Sequence, residues 1–151
     1  MILPAQHIRA RKGMIEPFEE RGVASGMSYG LSCCGYDIRI DRGRILRPGD
    51  FALASTLERF AIPDDIMGHV ADKSTWARRG LAVQNTILEP GWEGYLTIEL
   101  SNHGGETLVI ADGTPIAQIV FHQLLEPTEQ PYGEKSKYQN QERRPVPARF
   151  E

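Results

Sequence analysis

The chain has 151 residues, 40% of them hydrophobic and 25% charged, with a net charge of −3. That suits one globular domain with a core of its own and lacks the basic excess of a nucleic-acid coat protein, while local cations can still hold a small anion. No apolar run reaches the length of a membrane span, and the N-terminal Met1-Ile2-Leu3-Pro4-Ala5-Gln6-His7 has no basic region leading into an apolar stretch, so a cytoplasmic protein without signal peptide is expected.

Gln6 to Lys12 reads as a short helix ended by Gly13, and Met14 to Phe18 as a short strand halted by Pro17. Glu19 to Met27 is polar and glycine-containing, and reads as a loop. The adjacent Cys33 and Cys34 read as two reduced thiols on a strand, one facing in and one out, because neighbours rarely bridge each other and a pair alone makes no zinc site. Tyr36, Ile38 and Ile40 alternate with Asp37 and Arg39 as on a half-buried strand, and Asp37 has no evident role there. After the turn Arg47-Pro48-Gly49-Asp50, Phe51–Thr56 reads as one strand and Leu57–Ile62 as another, with Ile66–Ala71 beyond a second turn at Pro63-Asp64-Asp65.

The stretch from Asp72 to Leu100 is the densest in groups that can do chemistry. Lys73 and Arg78 are cations near the ends of a short segment, and Ser74 can cap a helix there by accepting from free backbone N–H groups. Each alone reads as a cap or an exposed basic patch; together, a helix N-terminus flanked by cations suits a polyphosphate. Arg79 reads as a surface residue, and Trp76 and Trp92 as core or subunit-contact residues. Past the Glu89-Pro90-Gly91 turn, Tyr95, Thr97 and Glu99 share one face of a strand and Leu96, Ile98 and Leu100 the other. Glu99 is then either solvated or held as a base, with burial raising its pKa and a nearby cation lowering it.

Thr107–Ile110 and Pro115–His122 flank an Asp112-Gly113 turn, and the Gln118 amide interrupts the second run, so it needs hydrogen-bond partners or reads a ligand. The many short strands with Gly and Pro between them point to an all-β sandwich or barrel with few helices. From Glu126 the composition turns polar and Pro-containing; residues 127–151 form a tail that cannot bury a core of its own, so it is disordered or ordered by a ligand or a neighbouring subunit.

The zinc-deaminase pattern of His-x-Glu with Pro-Cys-x-x-Cys is absent, as are the phosphate loop and the nucleophile elbow. The four histidines, His7, His69, His103 and His122, lie far apart and read as structural or surface groups, with no protein-bound metal expected. Hydrolytic chemistry here must use carboxylate, hydroxyl and guanidinium groups.

Several ordered motifs resemble the dCTP deaminases of the dUTPase superfamily: Ser28-Tyr29-Gly30-Leu31-Ser32 with Gly35-Tyr36-Asp37-Ile38-Arg39, then Lys73-Ser74-Thr75-Trp76-Ala77-Arg78, Glu89-Pro90-Gly91-Trp92-Glu93-Gly94, Leu96-Thr97-Ile98-Glu99-Leu100, Pro131-Tyr132-Gly133 and Lys137-Tyr138-Gln139-Asn140-Gln141. The resemblance implies a mainly β fold, a distorted jelly-roll or β-barrel of the dUTPase-like type with few short helices. Residues 1–126 would form the body and residues 127–151 a tail closing over the active site within the same domain. It implies a homotrimer with sites at subunit contacts, no nucleic-acid or membrane partner, and zinc-independent hydrolysis of the cyclic amidine C–N bond of dCTP, giving dUTP and ammonia. Magnesium would be carried on the nucleotide phosphates, with dUTP as product ligand and dTTP as an inhibitor. By position Glu99 matches the catalytic glutamate, and Ser74 and Arg78 match the groups that hold water and nucleotide. Lys73 matches a phosphate contact, with Thr75, Trp76 and Ala77 completing that binding segment. Glu89 falls near the sugar, and Thr97 and Ile98 frame the base. Gln118, Tyr132, Lys137 and Gln141 match ligand contacts.

The hairpin between Gly80 and Trp92 is short and carries Asn85-Thr86 where relatives commonly have a Thr-Ala pair, leaving cytosine and a modified cytosine both open. The alternatives are a bifunctional, dUMP-forming dCTP deaminase/dUTPase, a dUTP pyrophosphatase, and a nucleotide-binding regulator or trimeric scaffold without catalysis.

Overall fold

The structure, a computed structural model, describes residues 1–84 and 86–150. Helix α1 (Ala5–Ala10) is followed by strands β1 (Ile15–Glu16), β2 (Gly22–Ala24), β3 (Met27–Leu31), β4 (Tyr36–Arg39), β5 (Arg44–Leu46), β6 (Phe51–Ala61) and β7 (Ile66–Asp72). A single helical turn, α2 (Ser74–Ala77), leads to β8 (Leu81–Val83), β9 (Ile87–Leu88), β10 (Glu93–Asn102), β11 (Leu108–Ile110) and β12 (Pro115–Gln123).

The strands form a four-stranded sheet in the order β1-β6-β10-β8, a six-stranded sheet in the order β2-β3-β4-β12-β7-β9, and a β5–β11 ribbon, and they do not close into a barrel. The mainly β reading with few short helices therefore holds. One apolar core draws on both larger sheets: Phe60, Ile98 and Leu100 from one, and Ile38, Val70, Ile119 and Phe121 from the other. Burying side chains of this kind stabilises the fold by about 1.5–3 kcal/mol each.

Four local expectations need correcting. Glu19 to Met27 is not all loop: β2 and β3 form a hairpin pairing Ala24 with Met27. Its two turn residues, Ser25 and Gly26, both have positive φ (50° and 72°), the backbone that matches the twist of a two-residue hairpin. Residues 51–61 form one strand rather than two. The register jumps between Arg59↔Tyr95 and Ser55↔Thr97, so β6 bulges at the point where alternation suggested a break. Thr56 stands in for the lost ladder there, its Oγ1 accepting from Leu96 N at 3.0 Å and donating to Glu58 O at 2.7 Å. Cys33 and Cys34 are not an in-and-out pair on a strand; both thiols are exposed in the β3–β4 turn.

The tail, finally, is ordered by its own chain. Tyr132 N donates to Pro90 O at 2.7 Å, Asn140 N to Glu93 O at 2.9 Å and Tyr95 N to Gln141 O at 3.0 Å. Gln141 bridges Gly94 in parallel. Gly94 has φ 137°, and a Cβ there would lie 2.6 Å from Gln141 N, so only glycine lets the tail lie this close.

Candidate active site

Strand β10 presents Thr97 and Glu99 to a cavity of about 630 Å³, a size ordinary for small-molecule sites. Phe51 and Leu53 of β6, with Leu88, Trp92 and Leu96, form its apolar walls, and Tyr132, Tyr138, Gln141, Val146 and Ala148 of the tail line the remainder. The polar groups are few. Glu89 is exposed at the edge. Thr97 Oγ1 donates to Gln141 Oε1 at 2.8 Å and accepts from Val146 N at 3.0 Å, fixing the tail against the strand.

Glu99 is half-buried, and its Oε2 is shielded from solvent with no hydrogen-bond partner among the described residues. Burial raises its carboxyl pKa above the ordinary carboxylate range, because desolvation disfavours the charged form. Such an atom costs free energy to bury and suits a group that must take up and release a proton.

The second set of expected residues lies elsewhere. The N-cap of α2 is Lys73, not Ser74, and the Lys73 side chain makes no capping hydrogen bond among the described residues. Ser74, Thr75, Ala77 and Arg78 are exposed, while Trp76 is buried and donates from Nε1 to Pro115 O at 2.8 Å. Among the described residues, no residue of α2, nor Arg78, lines the Glu99 cavity; Thr75 and Trp76 line a smaller one of about 290 Å³ with Arg79. Lys73, expected at a phosphate, donates from Nζ to Asp37 Oδ2 at 2.8 Å. Asp37 is accordingly a buried anchor rather than a strand residue without a role. Gln118 donates to Asp37 Oδ1 at 3.1 Å and Ser32 Oγ at 3.2 Å. Ile98 points into the core, and the Lys137 carbonyl accepts from Arg149 Nη1 at 2.7 Å. Trp92 is buried, as the core reading of both tryptophans has it. Of the Asn85-Thr86 pair, Asn85 lies outside the described residues and Thr86 lines the cavity. No cluster of three or more His, Cys, Asp or Glu able to hold a metal occurs among the described residues, and none of their helices is long and apolar enough to cross a membrane.

The family model described as dCTP deaminase-like matches residues 36–124, which carry β4 to β12 and with them Asp37, Lys73, Arg78, Thr97 and Glu99. The chain belongs to this dCTP deaminase-like family. A dCTP deaminase from Acidobacterium capsulatum is 38% identical, the match covering 89% of this chain and 90% of that protein. A relative named dCTP deaminase, dUMP-forming, from Methanosphaera stadtmanae is 36% identical over 86% of this chain and 66% of that protein. The solved EIAV dUTPase shares the fold at a TM-score of 0.56 and 24% identity, covering 68% of this chain and 85% of that one.

Within this deaminase-like chain, five expected site residues line one cavity: Glu89, Thr97, Glu99, Tyr132 and Gln141. The walls formed by Phe51, Leu53, Leu88 and Val146 were not singled out from sequence, since an apolar residue facing a cavity has the same pattern as one facing the core. The only advance signal was the tail's tyrosines, amphipathic residues suited to a half-open site.

Proposed function

We propose that this protein deaminates dCTP by zinc-independent hydrolysis, giving dUTP and ammonia for the dUTP/dUMP route to thymidine nucleotides. The observation that carries the reading is the half-buried Glu99 carboxylate, unpartnered at Oε2 among the described residues, on the wall of a cavity large enough for a nucleoside. Glu99 takes a proton from water as that water attacks C4 of the cytosine ring. It passes that proton to the ring nitrogen, then takes the remaining proton from the new C4 hydroxyl and delivers it to the departing amine, so that a C–O bond forms, the C4–N bond breaks, the carbonyl is made and the carboxylate is regenerated. Its raised pKa suits both halves of the cycle, because a weaker acid is a better base and holds the proton until the amine leaves.

Ser74 and Arg78, which match the groups holding water and nucleotide, do not line their own chain's cavity. The reading therefore includes a homotrimer in which α2 of one copy completes the cavity of the next. Arg78 meets the triphosphate, whose magnesium arrives as part of the substrate, and residues 127–151 cover the bound nucleotide, with Tyr132, Lys137 and Gln141 in contact. Glu89 faces the sugar, and Thr97 and the backbone around Ile98 frame the base. dTTP is the corresponding inhibitor, and the setting is cytoplasmic.

The test is incubation with dCTP and magnesium, with products separated by chromatography. Accumulating dUTP is expected. The Methanosphaera relative's name favours one second reading: direct appearance of dUMP and pyrophosphate would assign the bifunctional activity. Hydrolysis of dUTP without turnover of dCTP would overturn the role given to Glu99.

A further inference from the structure

A polar cluster lies behind α2. The buried carboxylate of Asp37, on β4, accepts from Lys73 Nζ at 2.8 Å, Ser28 Oγ of β3 at 3.1 Å and Gln118 Nε2 of β12 at 3.1 Å. The side chains of Lys73 and Asp37 are only 10% and 8% exposed. An ion pair that far from water gains little net stability, since desolvation offsets the attraction, so what matters is the geometry it holds. Lys73 is the N-cap of α2, a helix of four residues, too short to persist by itself. Its other anchor is the Trp76 indole on Pro115 O at 2.8 Å. Pinned to the sheet at Lys73 and Trp76, the turn leaves Ser74 and Arg78 exposed on a fixed backbone.

We propose that Asp37 is a positioning residue for the reaction, acting through Lys73 to fix α2 and so the placement of Ser74 and Arg78. The identity of the reaction rests on the function proposed above; the coupling of Asp37 to α2 does not.

The test compares Asp37→Asn, Lys73→Met and the double variant by hydrogen exchange and by kinetics on dCTP with magnesium. The amides to follow are those of Trp76, Ala77 and Arg78, which donate to Lys73 O, Lys73 O and Ser74 O at 3.0, 3.0 and 3.1 Å. Asp37→Asn is expected to speed their exchange about 10-fold or more while β10 amides keep their protection. kcat/KM should fall about 10- to 100-fold, because a small misplacement of positioned groups is costly. In the Lys73→Met background the same change should alter kcat/KM by less than about 2-fold, since both act through one contact. A purely structural role would instead speed exchange in β10 and α2 alike. Unchanged α2 exchange in Asp37→Asn, wild-type kcat/KM, or an undiminished effect without Lys73 overturns the proposal. Should Asp37→Asn not fold, unchanged α2 protection in Lys73→Met overturns it, and faster exchange confined to α2 supports it. A wild-type protein inert towards dCTP whose α2 still loosens in Asp37→Asn would refute the proposed function while leaving the coupling intact.

Discussion

Glu58 and Glu99 lie on neighbouring strands, β6 and β10, and burial raises the carboxyl pKa of both. Their surroundings are opposite. Glu58 has no exposed side-chain surface and accepts from Arg39 twice, from Nε at 2.7 Å and from the backbone N at 2.9 Å. It sits at the β6 bulge and ties that strand to β4. Glu99 faces a cavity with one oxygen unpartnered among the described residues. Burial alone therefore does not mark a reactive carboxylate. A satisfied one holds the fold, and an unsatisfied one beside open volume fits the proton-transfer role proposed for Glu99.

Exchanging each glutamate for glutamine separates the two roles. Glu99→Gln should lower kcat on dCTP about 10³-fold, within the range for loss of a general base, with dCTP affinity kept within a few-fold by calorimetry. Full activity in this variant would remove Glu99 from the mechanism. In the wild type, activity should be lost on acidification at a higher pH than an ordinary carboxylate would give, because the base must be ionised and its pKa is raised. Stability carries the same signature. The folded chain holds these protons more tightly than the unfolded one, so stability should fall as pH rises from the unfolded pKa through the raised folded pKa. Either glutamine variant should flatten that slope in melts recorded against pH.

Glu58→Gln should act on stability rather than turnover, costing about 3 kcal/mol because the largely shielded Arg39 is left without its counter-charge. That corresponds to a fall in Tm of about 6–12 °C, with kcat near wild type at low temperature. A kcat loss as large as that of Glu99→Gln, with Tm unchanged, would break the contrast. The smallest effect is expected at Thr97, which ties β10 to the tail. Thr97→Val removes the bonds to Gln141 and Val146 and should cost about 1 kcal/mol, read as tryptic cleavage after the exposed Lys135 rising about 5-fold. Unchanged cleavage would mean that other contacts hold the tail.

The same contrast explains how much was legible in the sequence. Alternation exposed β4 and β10, an apolar run exposed β12, and with β10 came the shared face of Thr97 and Glu99. The short β5, β8 and β9 owe their existence to pairing partners rather than to any pattern of their own. The bulge at residues 56–58 broke the period and hid that β6 is continuous. At the site, five residues chosen for their chemistry gathered around one cavity, but the reading of Lys73 as an exposed or phosphate-binding cation left out its ion pair. The carboxylate that captures it is 36 positions away, and no local spacing rule reaches that far. The tail was misjudged for a related reason: it buries little of its own, and its order comes from backbone pairing along β10 and from Gly94, a residue without a side chain to announce it.

The chain has two tryptophans, and they are wired differently. Trp76 donates to Pro115 O within the body, whereas Trp92 donates to Tyr138 O of the tail at 2.8 Å. Lifting the tail would strip the Trp92 indole of its acceptor and open that face of the ring to water, leaving Trp76 in place as an internal standard. The protein thus carries its own optical gauge of tail position, and emission from Trp92 can follow the covering and uncovering of the cavity in real time without an attached dye.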